Sequence, residues 1–341
     1  MAGNDGMKFN NPDSVAKRRI PSEVLGLDLG ATCIKAVRLR KGKEGLSVVA
    51  ADILPALVIS AENPVPQLKL PAKLLTNYAA VAFSSPRQAV RVINVAGGGE
   101  PLAVKLQEIV KVEADQRLAF TVLRTIPGKR ETQVLTVGLP EADVQQVLAM
   151  LAYGPPAAWS VEHAGLAALT AFYLGPGRDH NDEALCFIEA GAHMTFVAFL
   201  NKGVPVLIRT LELGGEKLIA ALQTQWGLDR ETALGALGQG ATIDISQPIH
   251  ELAAPFLRQL SISRDFVERQ ESCRITRVYL SGGLSQIKQW AEEIQKAMGV
   301  PVQSWDPFAM LAPPPLPPAV DNQRARFASA IGAALAVFEE P

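Results

Sequence analysis

The chain has 341 residues, 48% of them hydrophobic and 6% aromatic, with a formal net charge of −1. That length exceeds one typical core and suits two lobes. The near-neutral charge and scarce aromatics exclude a general nucleic-acid binder, which needs cationic surface and stacking platforms.

In chain order, residues 1–22 are polar, with Lys17, Arg18 and Arg19 near their end and no apolar core of a signal peptide. They are expected to form a disordered leader, with at most a weak attraction to anionic lipid. No apolar run nears the roughly 20 residues that span a bilayer. Residues 24–29 and 34–40 are predicted strands around the turn Gly26-Leu-Asp-Leu-Gly-Ala-Thr-Cys-Ile-Lys35. Such a hairpin can bend around an anion. Gly30 permits close backbone approach, and exposed N–H groups, the Thr32 hydroxyl and the Lys35 ammonium are phosphate donors. Asp28 repels an anion unless a cation such as Mg²⁺ sits between them. Taken alone, the stretch reads equally well as an ordinary hairpin with a glycine turn.

A third strand is predicted at 46–52, then a weakly patterned proline-containing stretch. Strands at 79–84 and 88–95, a helix at 101–116, strands at 121–126 and 133–139 and a helix at 141–151 follow, so 78–153 reads as an α+β insert. Gly97-Gly98-Gly99 lacks a GxxxxGK frame and reads as a turn. An alanine-rich helix is expected at 161–173, with His163 as a structural histidine on it. A polar linker then leads into a repeat of the opening pattern: strand 184–189, Gly191, strand 195–200, turn 201–203, strand 204–210. The repeat points to a duplicated architecture. Glu189 ends an apolar strand, where an unpaired charge is costly, so it needs a cation, a donor or solvent. His193 either lines a cleft here or sits in a solvated loop.

Gly214-Gly215 precedes a helix at 216–226, and further helices are expected at 229–237 and 249–270. On the last of these, Glu251, Arg258, Arg264, Asp265, Glu268, Arg269 and Glu271 read as a solvated face. A buried strand at 277–280 ends in Ser281-Gly282-Gly283, then come a helix at 286–298, a strand at 300–303, a five-proline loop at 312–318 and a small-residue helix at 327–338. Cys33, Cys186 and Cys273 lie far apart. They make neither a CxxC site nor an even disulfide framework, which fits a reducing cytoplasm. No Ser–His–Asp set with local spacing and no HExxH motif is present.

Asp28-Leu29-Gly30, Glu189-Ala190-Gly191 and Ser281-Gly282-Gly283 occur in an order that resembles the actin-like ATPase fold. Within it, Glu113-Ala-Asp-Gln-Arg-Leu-Ala-Phe120, Asn201-Lys-Gly-Val-Pro-Val206, Leu213-Gly-Gly215, Tyr279-Leu-Ser-Gly-Gly283, Gly299-Val-Pro-Val302 and the stretch 328–335 resemble the PilM branch, close to the cell-division protein FtsA. The resemblance covers nearly all of 24–338 and implies an α/β, ribonuclease-H-like duplicated fold. Its first-lobe core would be 23–77 with 154–182, its insert 78–153 and its second lobe 183–338. The final helix, 325–338, would pack back toward the first lobe. The two hairpins would hold nucleotide phosphates and Gly282-Gly283 would back the adenosine. ATP with Mg²⁺ is the implied cofactor, its ion near Asp28 and Glu189.

PilM proteins are cytoplasmic parts of the type IV pilus inner-membrane assembly. The resemblance therefore implies an adaptor that binds the cytoplasmic tail of the membrane protein PilN in a groove involving the insert. It would meet other platform proteins, reach the membrane through its partner, and allow a homo-oligomer. The chemistry departs from the family where it matters. Glu189 stands where the family has Asp, and Ala31 replaces a common Ser. Ala233-Leu234-Gly235-Ala236-Leu237 replaces Ala-Glu-x-x-Lys, whose Glu and Lys touch ribose and adenine. Losing two such groups costs about 1–3 kcal/mol each, two or more decades of affinity. The expectation is weak or absent ATP binding. The alternatives are that Thr232 or Gln239 serves the base, that the chain is an active ATPase or sugar-kinase-like enzyme, or that it forms filaments.

Overall fold

Gly30 folds two apolar runs onto each other: β1 (Glu23–Leu29) pairs antiparallel with β2 (Cys33–Gly42), and β2 with β3 (Gly45–Pro55). The computed structural model describes residues 19–57, 65–97, 101–110, 113, 115–126, 128–237 and 244–339. The expected leader up to residue 18, Gly98 and Gly99 of the expected turn, and Gln239 lie outside them.

β4 (Tyr78–Phe83) runs parallel to β1 in the first sheet. The chain then leaves that sheet. β5 (Ala89–Ala96), α1 (Leu102–Val110), β6 (Gln116–Ile126) and β7 (Glu131–Pro140) form an antiparallel β5-β7-β6 sheet with one helix. A small cluster of Val95, Leu106, Val110, Leu118 and Val134 holds it together. α2 (Glu141–Met150) returns, placing Val144 and Val147 in the first-lobe core. β8 (Ala157–His163) completes the sheet in the order β3-β2-β1-β4-β8. The insert boundary of 78–153 is therefore drawn too wide. The inserted sheet spans 89–140, and β4 is a central strand of the first lobe. Strands buried on both faces read as continuous apolar runs wherever they belong, so the pattern alone could not assign β4 to a sheet. The helix expected from 161 starts later for a related reason. β-branched Val161 pairs with Val81 in β8, and α3 is Ala164–Leu174.

After α4 (Pro176–Asp179) the same topology recurs. β9 (Ala184–Ala190), β10 (Thr195–Asn201) and β11 (Val204–Leu211) form the meander. Then come α5 (Gly215–Trp226), α6 (Arg230–Ala236), α7 (Ser246–Glu271), β12 (Ile275–Gly282), α8 (Lys288–Met298) and β13 (Val302–Ser304). The sheet order β11-β10-β9-β12-β13 repeats the first, with the last strands parallel to β9. Asp28 and Glu189 hold the same place, the sixth residue of β1 and of β9.

The chain returns to the first lobe through α9 (Pro318–Asp321) and α10 (Ala328–Phe338). α10 is buried all round and lies against α3 and β1 at backbone distance. A Cβ on Gly332 would stand 1.7 Å from the Ala167 carbonyl oxygen, and one on Gly26 2.0 Å from that of Ala330. Small residues are what this contact requires.

The face of α7 read as solvated is only partly so. Arg264 donates to the carbonyls of Ala297 and Met298 at the end of α8. Glu268 accepts from the Ile275 N–H at 3.0 Å. Glu271 is nearly buried and bonded to Arg124 of the insert.

Candidate functional site

The carboxyl ends of β1 and β9 open onto one cleft of about 970 Å³. Asp28, Gly30, Thr32, Lys35, Glu189, Gly191, Gly282 and Gly283 all line it. The two glycine turns therefore face a shared space, as the duplication predicts.

Within the first hairpin, Asp28 lies directly opposite Lys35 in the β1–β2 ladder. Their side chains meet at 2.9 Å, both buried. Burial works to lower the lysine pKa, but the Asp28 carboxylate outweighs it and holds the ammonium above its ordinary value. Gly30 makes room for this pair, since a Cβ there would sit 2.7 Å from Lys35 Nζ. The second hairpin has no such balance. Glu189 faces Phe196 across the β9–β10 ladder. Its Oε2 is buried with no hydrogen-bond partner. Burial pushes its carboxyl up to about 7, with the Asp28 charge adding to the rise and Ser281, Lys35 and Arg326 working against it.

The glycine N–H groups expected to face an anion are committed inside their own turns. Gly30 donates to the Asp28 carbonyl and Gly191 to the Met194 carbonyl, each at 3.0 Å. The N-terminus of α5 is committed as well, with Gly215 donating to the Gly191 carbonyl at 3.0 Å and Glu216 to that of Ala192 at 2.9 Å. Gly282, at φ +84°, presses on the second hairpin: a Cβ there would meet the Ala190 carbonyl oxygen at 2.3 Å and Glu189 Oε1 at 2.8 Å.

The end of the cleft that the resemblance assigns to the base carries apolar groups. Leu234 and Leu237 of the α6 region line the cleft, with Leu284 and Ile287 nearby. Arg230 is tied to Glu216 in a fork of 2.7 and 2.8 Å. Thr232 does not replace the missing polar groups, because its N–H and hydroxyl are both bonded to Asp229 at the α6 cap, each at 2.8 Å. His193 lies on the cleft and is exposed. His163 ends β8, its Nδ1 accepting the Leu166 N–H at 3.2 Å as the cap of α3. Its Nε2 is buried without a partner, and burial lowers its pKa to about 4.

Arg326 escaped the sequence reading. It reaches the first hairpin from just ahead of α10, donating to Cys33 Sγ at 3.2 Å beside Lys35. One signal was available: Arg324 and Arg326 precede a helix N-terminus, where the macrodipole disfavours cations.

As a site for Mg·ATP the fit is split. Lys35, Arg326 and Thr32 suit a phosphate group. Of the two carboxylates, Asp28 Oδ2 already holds Lys35, whereas the buried Glu189 Oε2 has no partner and stands open to a cation or a proton. Among the described residues, no group of three or more His, Cys, Asp or Glu side chains could hold a metal ion. Among those residues, no helix is long and apolar enough to cross a membrane.

Comparison with known proteins places this geometry. A solved structure described as the PilM-PilN type IV pilus biogenesis complex is similar with a TM-score of 0.76 at 20% identity, over 94% of this chain and 100% of that one. The ethanolamine utilization protein EutJ from Carboxydothermus hydrogenoformans follows at a TM-score of 0.48 and 16% identity, over 92% and 90% of the two chains. A ROK hexokinase from Thermus thermophilus has a TM-score of 0.44 at 13% identity, over 92% and 97%. The two-lobed actin-like fold is thus shared over almost the whole length. The family model for the type IV pilus assembly protein PilM matches residues 161–338. The chain belongs to the PilM family of type IV pilus assembly proteins.

Proposed function

We propose that this protein is a cytoplasmic adaptor of a type IV pilus or related inner-membrane platform. It binds the cytoplasmic N-terminal tail of a PilN-like membrane protein, and its nucleotide cleft binds ATP weakly or not at all. Similarity over nearly the full length to a chain of a PilM-PilN complex is the observation that carries the partner. The insert supports the docking place: it is a small sheet with its own core, whose Leu139 and Val137 pack on the first-lobe core, so the two units meet along one junction. The tail binds at that junction.

Weak ATP binding rests on the residues of the cleft. Leu234 and Leu237 leave the hydrogen-bonding groups of ribose and adenine unanswered, at about 1–3 kcal/mol each. The Lys35–Asp28 pair must part before a phosphate gains the full charge of Lys35. A second reading, residual phosphate binding by an actin-like ATPase, draws on the two glycine turns and Arg326 at one end of the cleft.

The test is fluorescence polarisation of the full chain with a labelled peptide. The peptide is the N-terminal cytoplasmic segment of a PilN-like protein. Saturable binding that a scrambled peptide does not show supports the adaptor. Equal binding of both peptides, or of neither, refutes it.

A further inference from the structure

The insert touches more than the lobe it grows from. At its root it is held to the first lobe. Gln116 donates to the Arg87 carbonyl at 2.6 Å, Arg87 pairs with Asp115 at 2.7 Å, and Arg117 pairs with Glu141 at the start of α2. At its far side, β5 lies against β11 of the second lobe. Val90 and Ile208 share one buried cluster there, with Val92, Leu135 and Val137 packed on it.

One ion pair closes that contact. Arg124 of β6 donates both to Oε1 of Glu271 at 2.8 Å and to Oε2 at 2.7 Å. Its Nε donates to Gln133 at 2.9 Å, and Asn201 of the second lobe donates to the same carboxylate at 3.2 Å. The Glu271 side chain is 10% exposed and that of Arg124 28%, against 51% for both Arg87 and Asp115 at the root. Exposed pairs contribute little because solvent screens them. A charge-assisted bond whose acceptor is nearly dry contributes more.

The lobes meet at the base of the cleft, where Phe172 of α3 packs on Phe187 and Tyr279 of the second-lobe sheet, and they are joined further by α10, which the second-lobe chain lays on the first lobe, and by the insert. For the cleft to widen, the insert must either release the second lobe or shift against its own root. We infer that the insert is a strap across the two lobes, with Arg124–Glu271 as its clasp, so that opening of the cleft and placement of the insert are one coupled motion. Arg124 and Glu271 are positioning residues, and neither lines the cleft. The inference goes beyond the adaptor reading and does not depend on which partner the insert holds.

Hydrogen–deuterium exchange on the full chain tests it, comparing the wild type with R124E, the milder R124Q and the swapped pair R124E/E271R. Releasing the clasp is expected to speed opening roughly tenfold, about 1.4 kcal/mol. The faster exchange should appear at β5 and β11 and also at both cleft hairpins, residues 28–35 and 189–195. The charge swap should restore all four segments. Faster exchange confined to the neighbourhoods of residues 124 and 271, with the hairpins unchanged in both single variants, overturns the coupling. So does a charge swap that leaves the hairpins as exposed as R124E does. If R124E unfolds, R124Q carries the comparison, since it removes the charge and keeps a donor.

Discussion

Replacing Glu189 by glutamine isolates the electrostatic imbalance between the two hairpins. Asp28 has Lys35 opposite it, whereas Glu189 has Phe196 and an unpartnered, buried Oε2. Its carboxyl moves from an ordinary 4.5 to about 7 on folding. The folded state thus holds the proton more tightly than the unfolded chain. The contribution of Glu189 to stability is fully present below pH 4.5 and is lost as pH rises through 7. Each pH unit in that interval costs about 1.4 kcal/mol, so the loss is about 3 kcal/mol. E189Q cannot ionise and escapes it. Burying the amide shifts the variant by a constant, so the pH-dependent part is the signal. Urea unfolding of both proteins, followed by tryptophan fluorescence from pH 4.5 to 8, reads it directly. E189Q should gain on the wild type by about 3 kcal/mol across that range and then level off. A difference that stays flat with pH, or a wild type that gains on E189Q as pH rises, refutes the reasoning.

His163 works with the opposite sign: its pKa falls to about 4 on burial, so its contribution is present above pH 6.5 and lost as pH falls. Urea unfolding of H163N, which keeps the α3 cap, extended down to pH 4, should show the variant gaining about 3 kcal/mol on the wild type between pH 6.5 and 4. Gly332→Ala drives a Cβ into the Ala167 carbonyl and should cost about 3 kcal/mol or more, whereas Gly235→Ala on α6 meets nothing within 4 Å and should be neutral or stabilising, both read by thermal unfolding. In native protein a thiol reagent should label the partly exposed Cys33 and Cys273. It should reach Cys186, fully buried with its thiol pKa pushed far up by burial, only after denaturation. Restoring the polar pair with L234E/L237K should raise Mg·ATP affinity by two decades or so. An unchanged titration would show that the base side does not limit binding.

What was legible in the chain was local or repeated. The turn around Gly30 recurs at Gly191, and a pattern that appears twice in order announces a duplicated sheet before any contact is known. The Asp28–Lys35 pair was not foreseen, since each was read toward a nucleotide, although a four-residue turn sets the two opposite each other in the ladder. The misassigned pieces depend on distant partners. β4 has the composition of any buried strand, and only β1, some fifty residues earlier, decides its sheet. Arg326 enters the cleft next to Cys33, 293 positions away. Glu271 looked solvated because charged helix residues usually are, and its partner Arg124 lies 147 positions earlier in another element. Helical periodicity marks which face is polar, and it carries no information about what a polar face will meet.

Whether the actin-like cleft of this protein has lost its hold on nucleotide is decided by isothermal titration of the full chain with Mg·ATP. No saturable heat is expected at micromolar protein and ligand. A dissociation constant in the low micromolar range would contradict that loss.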